Sequence, residues 1–231
     1  MDVKLSDEPE AQGSRIAGVS AGDLAERDGR EQAAVRGTRR ADQSQATREA
    51  LIAAAHGLFA EKGFAGVATE EIVRAAGVTR GALYHHFDGK AGLFQAVFEQ
   101  IESELARRFA EEALSVPDAW EAMVAGLDMF LDVCREPEVR QIALIDAPAV
   151  LGWAAWREVE SRYSLGLIRI GLENLVEAGV AHPQPIDPLA HAIMGMLTEA
   201  GLYVANAEDA DVAKAEMREV LRGTLEGLRG A

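Results

Sequence analysis

The sequence predicts an all-α protein, with an N-terminal three-helix helix-turn-helix domain followed by a larger C-terminal helical domain. Three observations predict it. Apolar residues recur at helical spacing from Ala46 almost to the C-terminus, and no segment shows the convincing alternation of a strand. Between residues 69 and 87, two short helical runs meet at a tight Ala76-Gly77-Val78-Thr79 corner, and each run opens on a threonine.

At 231 residues the chain can hold a small domain plus a medium one with a buried core. We expect an arm at 1–43, the helix-turn-helix domain at 44–92 and the larger domain at 93–231. The one cysteine, Cys134, excludes an intrachain disulfide and a cysteine metal cluster. The N-terminus is acidic and polar where a signal peptide needs a basic start and an apolar run. No stretch approaches about 18 uninterrupted apolar residues, the length that reads as a membrane span. A cytoplasmic protein, neither exported nor membrane-spanning, is expected.

Net charge is −15, and its placement is uneven. From Arg48 to Gln95, five bases balance five acids, whereas Ala96–Ala231 sets eleven bases against twenty-four acids. A polyanion would therefore be repelled by the C-terminal region and tolerated only near residues 36–95.

Residues 1–43 carry scattered single apolars without a period and are expected to form a mobile arm, with no fold assigned. Arg36, Arg39 and Arg40 either solubilise that arm or touch a minor groove or phosphates. From Ala46, Leu51, Ala55, Leu58 and Phe59 share one face, and Gly63 ends the helix. Thr69 is placed to cap the next helix, near 70–76, with Glu70 and Glu71 at its positive end; Thr79 caps a second, near 80–86. Beyond Gly89 a long helix carries Leu93, Val97, Ile101 and Leu105 at strict fours, and Pro117 closes it. Further helices are expected near 118–134, 137–146, 153–178, 187–206 and 210–228, punctuated by Pro137, Pro148, Gly179, Pro183 and Pro185.

In the corner unit Ile72, Val73, Val78, Leu83 and Phe87 are spaced to face inward, onto Leu58 and Phe59. Thr79, Arg80, Gly81, Tyr84 and His85 remain outward on the second short helix. Arg80 can pair bidentately with guanine O6 and N7, Gly81 lets backbone approach a groove, and Tyr84 and His85 can donate to phosphates. Thr69 and Lys90 stand at two other helix starts, where backbone N–H groups favour a phosphate. His86, beside Phe87, reads equally as a packed histidine or as a DNA contact.

The run from Thr69 through Gly77-Val-Thr-Arg-Gly-Ala-Leu-Tyr-His-His-Phe-Asp-Gly-Lys90, with Leu58-Phe59 and Gly63 before it, resembles the N-terminal domain of TetR-family regulators. The resemblance covers about 48 residues closely. Val73 departs from the family's usual Ala, and Ala91-Gly92 from an acid followed by a helix former. It implies a double-stranded DNA operator as partner, a small-molecule effector, a two-fold homodimer and no cofactor.

For the homodimer, the last two helices offer Leu189, Ile193, Leu197, Ala200 and Val204 with Val220, Leu221, Thr224, Leu225 and Leu228, among glycines 195, 201, 223 and 227. The same stripes could instead face the intrachain core. For a pocket, Trp120, Met123, Leu127, Phe130, Trp153, Trp156, Tyr163, Met194 and Met196 suit a large apolar or aromatic ligand, though such residues are more often ordinary core.

An enzyme would need a constellation this chain lacks. There is no His-Glu-x-x-His or Glu-x-x-His and no Gly-rich phosphate loop after a strand, and no metal site is expected. The reading is a ligand-released repressor; the alternative is an activator, or a regulator controlled by a protein partner.

Overall fold

The computed structural model of the protein describes residues 21–229, with side chains from residue 40 onward. Expectations for residues 1–20 and for the Arg36 and Arg39 side chains lie outside the described residues. The chain divides after Gln45 into two units.

Helix α1 spans Ala21–Lys62, so it begins within the segment expected to be an unfolded arm. The arm expectation is corrected from Ala21 onward. Residues 21–45 are rich in Ala, Arg and Gln, which favour helix through side-chain entropy and need no apolar stripe. Within the second unit, Leu51, Ala55 and Phe59 are fully buried at spacings of four.

Helices α2 (Thr69–Ala75) and α3 (Arg80–His86) form the corner unit. Its turn is a Schellman motif: the Val78 N–H donates to Val73 O at 3.0 Å and the Gly77 N–H to Arg74 O at 3.2 Å. Gly77 takes φ +67°, a left-handed conformation that costs a side chain about 1 kcal/mol or more. Ile72 and Leu83 are fully buried and Val73 and Phe87 nearly so, with Val78 and Leu58 packed against them, as their spacing predicts.

Helix α4 (Gly89–Ser115) buries Leu93, Val97, Ile101 and Leu105, and also Phe94, Phe98 and Glu102. It crosses the boundary expected at residue 93, and the apolar core crosses with it. Residues of α1 to α4 share one cluster with Val139, Ile142, Ala143, Ala147, Trp156 and Val159. The corner unit is therefore packed onto the larger part through a continuous core.

Helix α5 (Ala119–Val133) is capped by Asp118, whose Oδ1 accepts from the Trp120 and Glu121 amides at 3.0 and 2.9 Å. A π-helical segment, Val139–Asp146, runs into α6 (Ala147–Arg162). Pro148 does not break the chain as expected, because in the first turn of α6 its missing N–H is not needed. The break falls at Gly152, at φ +74°. A single helix over 153–178 was expected; the chain kinks at Tyr163 instead, and α7 is Ser164–Glu177. Helices α8 (Ile186–Asn206) and α9 (Ala210–Glu226) complete the described chain.

A second cluster unites α5, α7, α8 and α9, and it corrects the dimer stripe read from sequence. Ile193, Ala200, Val204, Leu221 and Leu225 are buried within the chain, and Leu189, Leu197 and Leu228 pack against them. Tyr203, Val212 and Val220 are the large apolar residues that α8 and α9 leave exposed, and Ile170 is exposed on α7.

Candidate nucleic-acid interface

Thr79, Arg80, Gly81, Tyr84 and His85 are exposed on α3, opposite Leu83 and Phe87. The Thr79 Oγ1 accepts from the Ala82 amide at 3.2 Å, so the helix starts on a side-chain cap at the point where Arg80 leaves it. The space where a Cβ on Gly81 would project is open, with only Thr79 Oγ1 at 3.9 Å. His85 meets His86 edge to face at 5.1 Å, and His86 lies 6.3 Å from the Phe87 ring. His86 is thus half-buried and partly committed to packing, while His85 stays outward.

Two expected phosphate ligands are placed differently from the sequence reading. Thr69 does not cap α2. Ala68 occupies the cap position, its carbonyl accepting from the Glu71 and Ile72 amides, and Thr69 is the first helical residue, half-buried. Lys90 turns inward: its Nζ donates to Phe64 O and Val67 O, each at 2.8 Å, and sits 4.0 Å from the Phe64 ring centroid. A lysine at a helix start reads as a phosphate ligand from sequence alone. Two carbonyls of the α1–α2 connection are the stronger attraction, since apart from Lys90 Phe64 O has only a long bond from the Val67 amide, at 3.4 Å.

The Phe64 amide of the same connection donates to Asp146 Oδ2 at 2.7 Å. Phe59, Phe64 and Phe94 pack around it with ring centroids 5.2 to 5.8 Å apart. The connection that sets α2 is therefore held by α4 through Lys90 and by the end of the π-helical segment through Asp146. Neither contact has a local sequence signal, since the partners lie 26 and 82 residues apart.

Arg80 reaches back to α2. Its Nη1 donates to Glu70 Oε1 at 2.7 Å, its Nη2 to the Tyr84 hydroxyl at 3.4 Å, and its guanidinium carbon lies 5.6 Å from the Tyr84 ring centroid. Glu71 takes Lys62 at 2.5 Å. Sequence reading gave these two acids only a role at the helix dipole.

Comparison with known proteins fits this geometry. The family described as "Bacterial regulatory proteins, tetR family" matches residues 51–97, and "Tetracyclin repressor-like, C-terminal domain" matches residues 120–228. A solved TetR-family transcriptional regulator from Pectobacterium atrosepticum is 34% identical, with a TM-score of 0.74, over 82% of this chain and 97% of that one. The chain belongs to the TetR family of transcriptional regulators. This TetR-family regulator is also 23% identical to the transposon Tn10 TetC protein of Escherichia coli, over 80% of its own length and 93% of the relative's. It shares its fold with RolR, solved with the ligand resorcinol, at a TM-score of 0.63 and 23% identity over 79% and 94% of the two chains. Family membership makes it a DNA-binding regulator rather than an enzyme.

The residues expected to line an effector pocket in this regulator fall into two groups. Trp120, Met123, Leu127, Phe130, Met194 and Met196 meet in the α5–α9 cluster. Trp156 and Tyr163 belong to the cluster shared with the reading unit, and Trp153 is 68% exposed beside Trp156. Among the described residues the buried Trp120 indole N–H finds no hydrogen-bond partner. Tyr163 also lines an open groove of about 520 Å³ with Arg48, Ile52, Glu99, Gln100 and Glu104.

Two buried acids went unnoticed in the sequence. Glu102 receives the Ser164 hydroxyl at 2.5 Å, and burial pushes its carboxyl up. Glu160 accepts from Arg157 at 2.9 Å. Burial outweighs that partner, nearby Glu102 adds to it, and the carboxyl is pushed up to about 7. Burial pushes the Cys134 thiol up to about 12, with Glu102 and Glu136 contributing, so it stays protonated and inert. The signal for Glu102 was present: Phe94, Phe98 and Glu102 follow at fours in α4, a carboxylate set in an apolar stripe. Among the described residues no helix is long and apolar enough to cross a membrane.

Proposed function

We propose that the protein is a ligand-released transcriptional repressor of the cytoplasm. As a homodimer it seats α3 of each protomer in the major groove of a near-palindromic operator. The observation that carries this reading is the exposed, contiguous set Thr79, Arg80, Gly81, Tyr84 and His85 on a helix whose other face is sealed at Leu83 and Phe87. Arg80 reads a guanine edge; Thr69, Tyr84 and His85 hold phosphates. Lys90 supports the surface from beneath.

Dimerisation uses the faces of α8 and α9 that the chain leaves open, where Tyr203 and Val220 are exposed, as are Gly195, Gly223 and Gly227. The effector is an apolar or aromatic compound that enters the cluster around Trp120, Met123, Leu127, Phe130 and Met194. The unpartnered Trp120 N–H supports this site, since an acceptor on the ligand would satisfy it. RolR's resorcinol is an aromatic ligand of the kind expected. A ligand preferring the released conformation a hundredfold supplies about 2.7 kcal/mol of coupling, enough to empty an operator.

A mobility shift on the DNA upstream of the protein's own reading frame, with and without a panel of lipophilic and phenolic compounds, tests the reading. Retardation relieved by a compound that also quenches tryptophan fluorescence over the same concentrations is expected. Retardation that no binding compound relieves favours control by a protein partner, with or without activation, for which exposed Trp153 and Ile145 offer an apolar surface.

A further inference from the structure

A DNA-reading surface usually works by spare positive charge, and this one has little. Within Arg48–Gln95 five bases face five acids. Lys62 is paired with Glu71, Lys90 is committed to two carbonyls, Arg48 stacks 5.3 Å from the Phe87 ring centroid, and Arg74 is exposed on α2, a turn from Glu70. Arg80, the base placed to meet a guanine, is paired with Glu70 of α2 at 2.7 Å although both side chains are 62% exposed.

That pairing treats the two kinds of DNA contact differently. A phosphate that takes Arg80, whether beside Glu70 or in its place, brings a second anion close to that carboxylate and is repelled by it. A guanine edge is neutral. Nη1 carries two N–H groups, so Arg80 can keep one on Glu70 and aim the other, with Nη2, at O6 and N7. The carboxylate then fixes the fork while a base completes it.

We propose that Glu70 is a specificity-determining residue: it holds Arg80 in a reading pose and withholds its charge from the phosphodiester backbone, so that random DNA is bound weakly and a guanine at the matching position is selected. The inference rests on the reading of α3 as the recognition helix, and it concerns a residue that touches DNA only through Arg80.

Glu70→Gln keeps the side chain's shape and removes its charge. Binding of the full-length dimer is measured across a salt series to two probes, a duplex enriched from a random pool by the parent protein and a random-sequence duplex of equal length. Glu70→Gln should bind the random duplex about three- to tenfold more tightly, the size expected when one exposed ion pair is released in each protomer. Its plot of log affinity against log salt should steepen by about two units per dimer as two arginines are freed for phosphates. Affinity for the enriched duplex should gain less, so the ratio between the probes falls. In Glu70→Gln/Arg80→Ala the slope should return to that of Arg80→Ala alone, an outcome that a structural role for Glu70 would not produce. An unchanged ratio and slope in Glu70→Gln, with Arg80→Ala still relaxing base preference, overturns the inference alone. Should Arg80→Ala itself leave affinity and preference intact, the recognition-helix reading falls and this inference falls with it.

Discussion

Lys90 shows how one side chain's role depends on where its partners lie. At the start of α4 it could meet a phosphate, yet its ammonium is spent on the carbonyls of residues 64 and 67 and on the Phe64 ring. Lys90→Met preserves the packing and removes both hydrogen bonds, and should lower stability by about 2 kcal/mol, the range for bonds to a charged group. Chemical denaturation reads this directly; an unaltered midpoint together with weakened DNA binding would return Lys90 to the phosphate role. Glu160 makes a prediction of a different kind. Its folded pKa, about 7, lies above its ordinary value of 4.5, so folding takes up a proton between those values. The stability linked to the protonated form is complete below about 4.5 and lost as pH rises through 7. Glu160→Gln should therefore flatten the pH dependence of the melting midpoint, gaining about 1 to 2 kcal/mol over the parent at pH 8 after allowance for the Arg157 pair and solvent screening. Parallel pH profiles for the two proteins would show that Arg157 fully compensates the buried charge.

At the scale of elements, legibility followed the range of the contact. The α2–turn–α3 unit was readable because its determinants are local: a glycine at C′, a threonine cap on α3 and apolar residues a turn apart. The α6 region was misread because prolines were given more weight than glycine. Pro148 is harmless in a first turn, while Gly152 breaks the helix by adopting φ +74°. The π-helical segment has no sequence signature, and its consequence is long-range, since it ends at Asp146, whose carboxylate holds the Phe64 amide. That contact joins the larger part of the molecule to the connection preceding α2, on a segment type often found where function needs a deviation from α-helix. Asp146→Ala should speed hydrogen exchange at residues 63–68 while leaving α8 and α9 unchanged, and should weaken DNA binding. Uniform exchange in the two proteins would remove this contact from the route between body and reading unit.

At the scale of the molecule, the same long-range logic separates what the sequence could say of the dimer from what it could not. Periodicity marked α8 and α9 as amphipathic but could not tell an intrachain core from an interface, and the chain covers Ile193, Val204, Leu221 and Leu225 itself. What remains open includes Val220, 62% exposed. Val220→Glu should shift sedimentation from dimer toward monomer without lowering the unfolding free energy of the protomer by more than the roughly 0.5 kcal/mol usual for surface changes. A dimer that survives it must associate through another face. The acidic body, eleven bases against twenty-four acids beyond residue 95, disfavours non-specific attraction to DNA, so the proposed repressor relies on two small reading surfaces acting together. Selection of duplexes from a random pool by the parent protein tests that account most directly. It should enrich a two-fold symmetric motif, with half-sites about one helical turn or more apart and a guanine in each that Arg80→Ala no longer selects. Enrichment of an asymmetric motif, or no enrichment over the starting pool, would contradict it.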